Sequence, residues 1–395
     1  MPISQDRDTL AAHPDRSSLS TGAFMPAVRA SGGPRGRPEV SMTGRAETTS
    51  TFDFHGFFSI RAEHRGLNDL LRRELAAFAR GLTSVDLTVS EGLAVPLGNL
   101  LSTKYSFDRS SFVVQTPAGR LRLADRILEA DPSYPAELLL IQWVENLMRQ
   151  QIVFRGATLV HSSAVCRDGV GYLLPAWAHT GKTNVALSFL RDGYSYMADD
   201  WCFVSESGEI LGYPRWLNLF DYNFEVRGAR APSLDPRVLK RLRRRLAVAE
   251  FARSLRESHR LSRWLRRWLL ERHFVNVRVP ASVAVPGCTT ELRAPLSKVC
   301  LLATSQSGSV RCRELEPTEL ARRLVLCAQY ERSTFGMHQL ALMYSGVLVP
   351  PPDLVSREEA VLARGFRSSR CLEVALPPSP SAGDLDRVRR AIETA

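Results

Sequence analysis

The sequence predicts an α/β protein with a small N-terminal module, a larger second region and a basic helical insertion. Three observations carry this expectation. Between residues 157 and 205, two strand-like runs, ATLVHSSAV and VGYLL, pass through PAWAHTGKT into the helix-like NVALSFLRDG, then into two more strands, YSYMA and WCFVSES. Buried strands alternating with a helix in this way mark α/β architecture. Ahead of that run, residues 51–150 mix short strands with two apolar-faced helices. Behind it, residues 235–272 hold 13 Lys/Arg against 4 Asp/Glu, among leucines and tryptophans at helical spacing.

Taken in order, residues 1–50 are rich in Ser, Thr, Gly, Pro and Arg and show no apolar periodicity. Such a segment buries too little surface to offset its ordering entropy, so a disordered extension is expected. FDFHGFFSIRAE (52–63) clusters aromatic residues and predicts a strand or hairpin. Leu67, Leu70, Leu71, Leu75 and Phe78 fall at helical spacing. VDLTV (85–89), SFVVQT (111–116) and RLRLAD (120–125) predict short strands. PAELLLIQWVENLMRQQIVF (135–154) predicts one long, mostly buried helix with Pro135 in its first turn. The second region, 151–376, contains the 157–205 run, two basic helices within 235–272, a buried strand at APLSKVCLLAT (294–304), a helix over 316–330 and a late strand at CLEVAL (371–376). PPSPSAG then links to a short C-terminal helix, so that 377–395 forms a tail.

Composition narrows the functional classes. The 395 residues are 44% hydrophobic and 24% charged, which suits a soluble globular protein and excludes a collagen-like or wholly disordered chain. No apolar run reaches the ~18 residues that a membrane span needs. The N-terminus lacks the pattern of a secretory signal, so a cytoplasmic protein is expected. Seven scattered cysteines form no CxxC pair or Cys/His cluster, which argues for reduced thiols without a zinc site. The net charge is +11, and 235–272 alone contributes +9. The remainder is nearly neutral, so basicity does not make the whole molecule a nucleic-acid binder.

The most informative segment is Ala176, Trp177, Ala178, His179, Thr180, Gly181, Lys182 and Thr183. It fits the phosphate-loop pattern GxxxxGK[ST] except that Ala176 replaces the first glycine. In such loops backbone N–H groups and a helix N-terminus surround a phosphate. The lysine neutralises β/γ oxygens and the hydroxyl ligates Mg²⁺. Three weaker features accompany it. Asp199 and Asp200 end the strand YSYMADD, where two adjacent carboxylates are costly to bury uncompensated. His161 lies in LVHSSAV. Phe224-Glu225-Val226-Arg227-Gly228 follows later. Singly, His161 is more easily read as a structural histidine and the 224–228 segment as a solvated face, while the acid pair has a solvated strand-end turn as its lesser reading.

In this order and spacing, the four features resemble the HPr kinase/phosphorylase family of P-loop kinases, whose core is like that of PEP carboxykinase. That family carries a histidine in a strand, a P-loop, an ADD pair and a LEIRG segment. His161 stands 21 residues before Lys182 and Asp200 stands 18 after it, matching the family pattern. The resemblance covers about 157–230. It implies ATP and Mg²⁺ as cofactors, with the loop 176–183 cradling the nucleotide and Lys182 on its β/γ-phosphates. It implies Thr183, Glu225 and Asp199 on the metal side, Asp200 as the general base, and His161 beside it. The acceptor would be a hydroxyl on a peptide, a protein or a small metabolite. The loop departs from the family's glycines at Ala176 and His179, and this motivates an alternative, an ATP-binding regulator without transfer. The basic insertion motivates a second alternative, a nucleic-acid-binding NTPase, beside its reading as a docking surface for an acidic partner.

Overall fold

The computed structural model describes residues 49–92, 97–177, 180–220, 223, 244, 247–248, 276–306, 309–347, 353–378 and 380–395. Ala178, His179, Glu225, nearly all of 235–272 and the first 48 residues lie outside that set, and with them the expectations placed on those positions. Within it, the chain mixes helices and sheets throughout, as the α/β expectation requires.

The N-terminal region builds one nine-stranded sheet between Ser50 and Ala130. Its start is the expected hairpin, Ser50–Phe54 against Phe58–Ala62, with Phe54 opposite Phe58. Phe52, Phe54, Phe58 and Ile60 are buried. The expected helix spans Arg65–Glu74, capped by the His64 ring, which accepts from the Leu67 N–H at 3.3 Å. The strand expected at 85–89 lies at Leu87–Glu91, and the other two expected strands form at Ser111–Thr116 and Gly119–Ala124. Asn99–Ser102, Tyr105–Phe107 and Ile127–Ala130 are further strands that the pattern reading misses. The first of these is largely exposed, so no alternation betrays it. Pairing with a neighbour, rather than burial, holds it in place.

The helix expected as one unit over 135–154 is broken. It runs as a turn at Ala136–Leu138, a π-helical stretch at Leu139–Val144 and an α-helix at Glu145–Ile152. π-Helical insertions occur often where a helix meets a functional site, and this one lines a cavity described below.

The second sheet has eight strands. Its long strand Ala157–Arg167 pairs antiparallel with Trp201–Ser205 through residues 157–161, and with Ser195–Ala198 through residues 164–166. Asp199 and Asp200 occupy the break between those two partner strands. Asp200 sits at φ 70°, which ends the first strand and starts the second. On its other edge Ala157–Arg167 pairs with Val170–Pro175, which runs parallel to Arg293–Thr304, itself parallel to Arg370–Leu376.

Aromatic packing joins the sheets. The Phe54 ring lies 5.8 Å from Tyr213 and 6.5 Å from Phe203, and His55 Nε2 meets the Gly212 carbonyl at 2.8 Å. The expected helix over 316–330 forms at Pro317–Glu331. Helices at Ser333–Ser345 and Leu354–Gly365 follow, neither of them foreseen. STFGMHQLALMYS is apolar on most sides, which hides the amphipathic signature. The C-terminal helix Ala382–Thr394 is longer than expected and no mere tail: Leu385, Val388 and Ile392 enter the core beside Phe189 and Leu190. Ser381 and Asp384 close its N-terminus as a capping box.

Gly365 ends its helix directly against the strand Trp201–Ser205. A Cβ there would stand 2.5 Å from the Ser205 carbonyl oxygen. Gly365→Ala is expected to destabilise by about 1–3 kcal/mol, the usual cost of overpacking, and so to lower the melting temperature by several degrees. An unchanged melting temperature would contradict this close approach.

Candidate active site

Gly181 caps the helix Lys182–Arg191 with φ 95°, a conformation that side chains bearing Cβ rarely adopt. This turns the chain from the end of Val170–Pro175 into the helix and sets Lys182 and Thr183 in its first turn. The expected strand–turn–helix setting of the GKT sequence is therefore present. Ala176 continues the parallel register beside Leu302. Trp177 stacks on Tyr330, with centroids 4.4 Å apart.

The Lys182 side chain folds across the sheet end. Its Nζ donates to Asp200 Oδ1 at 2.7 Å and to His161 Nε2 at 3.1 Å. Burial works against the ammonium, but Asp200 and Asp199 outweigh it and raise its pKa. His161 answers with the opposite shift: burial, then Lys182, push it down to about 3. Its ring is neutral, with Nε2 as acceptor. The proton is left on Nδ1, toward the Ala176 carbonyl and Glu331.

The two acids differ. Asp199 is 3% exposed and accepts from Ser163 Oγ and, at 3.1 Å, from Thr183 Oγ1. Burial and the neighbouring Asp200 push its carboxyl up to about 6, against Lys182, Ser163 and Thr183. The Asp200 side chain is 47% exposed and lines the cavity. Burial would raise its pKa, but the charge and hydrogen bond of Lys182 outweigh it and hold the carboxyl well below the usual range. The pair thus divides into a sequestered acid and an accessible one.

That cavity measures about 340 Å³. His161, Asp199, Asp200 and Trp201 form its floor. No described residue of the loop 176–183 lines it. Its opposite wall includes Glu137, Ile141, Gln142, Glu145, Asn146 and Arg149 from the N-terminal module. The sequence reading assigned that module no chemistry. Further wall residues are Arg215, paired with Glu145 at 2.9 Å, and Arg278, paired with Glu74 at 2.6 Å.

The structure therefore brings together Lys182, Thr183, His161, Asp199 and Asp200 from three segments, as the sequence reading expects. It adds Ser163, Glu331 and the arginines, which no motif marks. Ser163 was within reach of sequence reasoning, since strand pairing from His161 onward sets it opposite Asp199. No family model matches the chain, and no curated protein matches it either.

His161 supplies a pH test. Its folded pKa lies below its ordinary value. The stability this contributes is present above about pH 6.5 and is lost as pH falls toward about 3. Its imidazole resonances are expected to stay at neutral positions from pH 8 to 5, with the proton on Nδ1. A titration midpoint between 6 and 7 would contradict the buried pairing with Lys182.

Proposed function

We propose that the chain is an ATP-dependent phosphotransferase, similar to the HPr kinase/phosphorylase family, that moves the γ-phosphoryl group of Mg-ATP to a hydroxyl acceptor. One observation carries the reading. The lysine that opens the helix after the glycine turn converges at hydrogen-bond distance on the second acid of the ADD pair and on the strand histidine. Residues 18 and 21 positions away in sequence form a single hydrogen-bonded cluster beside a cavity.

The donor chemistry suits a hard divalent cation. Thr183 Oγ1 and the Asp199 carboxylate are oxygen donors 3.1 Å apart, as Mg²⁺ requires. Thr183 and Asp199 would hold it, and when bound it neutralises charge on phosphate oxygens. Gly181 leaves open space where a Cβ would project, which suits close approach of the backbone to a phosphate.

Lys182 would take the β/γ oxygens of the nucleotide. In doing so it draws its ammonium away from Asp200. Freed of that charge, the Asp200 carboxylate recovers the basicity that a proton acceptor needs. The pairing thus works as an interlock: the base stays weak until nucleotide occupies the loop. Neutral His161 accepts from the lysine and keeps it aimed. The competing regulator reading rests on the same ammonium, if the pair never yields to phosphate.

Two variants test the reading. Lys182→Ala is expected to weaken Mg-ATP binding at least tenfold by calorimetry, since charge-assisted contacts are worth about 1.5–3 kcal/mol each. Equal affinity in wild type and variant would overturn the assignment. Asp200→Asn is expected to keep Mg-ATP affinity within a few-fold while slowing γ-phosphoryl release from labelled ATP by about 10²–10⁴. An unchanged rate would favour the regulator.

A further inference from the structure

Among the described residues lining the cavity, Arg332 is a cation whose terminal nitrogens make no hydrogen bond. The Arg332 side chain is only 9% exposed and lines the cavity. Its Nε donates to the Ala328 carbonyl at 2.5 Å. Among the described residues, Nη1 and Nη2 are both buried and neither has a hydrogen-bond partner. The nearest acid is Glu358: its Oε2 holds Arg149, and its Oε1 pairs with Arg332 Nη1 at 3.9 Å, an ion pair beyond hydrogen-bond distance. The other described wall cations are hydrogen-bonded to acids: Arg149 to Glu358, Arg215 to Glu145, and Arg278 to Glu74 and Glu137.

Leaving two guanidinium N–H groups buried and unmet is costly, and a planar acid is the group that meets both at once. The wall is already crowded with carboxylates, namely Glu137, Glu145, Glu331, Asp199 and Asp200. A singly charged carboxylate therefore suits it better than a doubly charged phosphate. Trp201 fixes the distance scale. It follows Asp200 directly in sequence, its ring centroid lies 5.8 Å from the Arg332 guanidinium carbon, and it is 5.4 Å from the His161 ring. Arg332 and Asp200 line the same cavity of about 340 Å³, which holds a molecule of a few carbons.

We propose that this cavity binds a small hydroxy acid, with its carboxylate on Arg332 and its hydroxyl at Asp200, and that this is the acceptor of the transfer. The substrate class rests on the phosphotransferase reading; the binding site does not. In the transfer, the hydroxyl oxygen bonds to the γ-phosphorus and its proton passes to the Asp200 carboxylate. The bond from the γ-phosphorus to the bridging oxygen breaks, and ADP leaves with that electron pair. The products are a phosphate monoester, ADP and a proton that Asp200 returns to solvent.

The test reads binding without nucleotide, so its failure is distinct from failure of ATP turnover. The full chain is titrated with D-glycerate, L-lactate, L-serine and L-malate, with glycerol as the neutral control, by calorimetry and thermal shift. At least one acid is expected to bind while glycerol does not. Arg332→Gln is expected to weaken that acid about ten- to a hundredfold, and Arg332→Lys to weaken it by less, keeping the charge but losing the two-pronged fork. Arg332→Gln should not lower the melting temperature of the free protein, because it removes two buried N–H groups that make no hydrogen bond and only a long ion pair to Glu358. Binding of none of the four acids, equal affinity in Arg332→Gln, or a large loss of stability in that variant would overturn the proposal.

Discussion

The ion pair between Lys182 and Asp200 is the interaction on which the rest of the site depends. A buried ammonium is tolerated only when paired and hydrogen-bonded, and here one side chain satisfies it from a strand break and another from the neighbouring strand. That requirement fixes three local features at once. The glycine turn must launch the helix with Lys182 facing the sheet. The chain must kink at Asp200, which it does at φ 70°. His161 must remain neutral, because a second positive charge 3.1 Å from the ammonium would break the arrangement.

The pair also separates the site into two compartments. On one side lie the loop, the helix N-terminus and Thr183, whose hydroxyl donates to Asp199. On the other lies the cavity, walled by the π-helical turn and helix of the N-terminal module. Neither region of the chain encloses the cavity alone. The buried pairs Arg215–Glu145, Arg278–Glu74 and Arg149–Glu358 tie the module to the second sheet and its helices, so packing between regions becomes part of the binding surface. Removing one partner from such a pair strands the other charge and costs far more than removing both.

Much of this was legible in the sequence, and for a physical reason. Strand period, helix period and the special backbone demanded by Gly181 are local, and local constraints leave local patterns. The hairpin at Phe52–Ile60 and the strands at Ser111–Thr116 and Ala157–Arg167 follow from such patterns, whereas the grouping of His161, Lys182 and Asp200 was expected only from the resemblance in motif order and spacing. The π-helical break at Leu139–Val144 did not show, since it leaves the apolar spacing almost unchanged. Helix Ser333–Ser345 hid because its exposed face carries Met337, Leu340 and Tyr344 instead of polar residues. Arg332 and Glu145 gave no signal either: their role comes from tertiary neighbours, such as Arg215 for Glu145 and Trp201 for Arg332, that no local pattern links to them.

The central claim is that the pair between Lys182 and Asp200 yields to a nucleotide phosphate. Thermal unfolding of the wild-type chain with ATP, with ATP plus Mg²⁺, and with adenosine tests it most directly. A ligand at a hundred times its dissociation constant stabilises the native state by about 2.7 kcal/mol. The account predicts a saturable rise in melting temperature with Mg-ATP, a smaller one with ATP alone and none with adenosine. No shift with millimolar Mg-ATP, or an equal shift with adenosine, would contradict it.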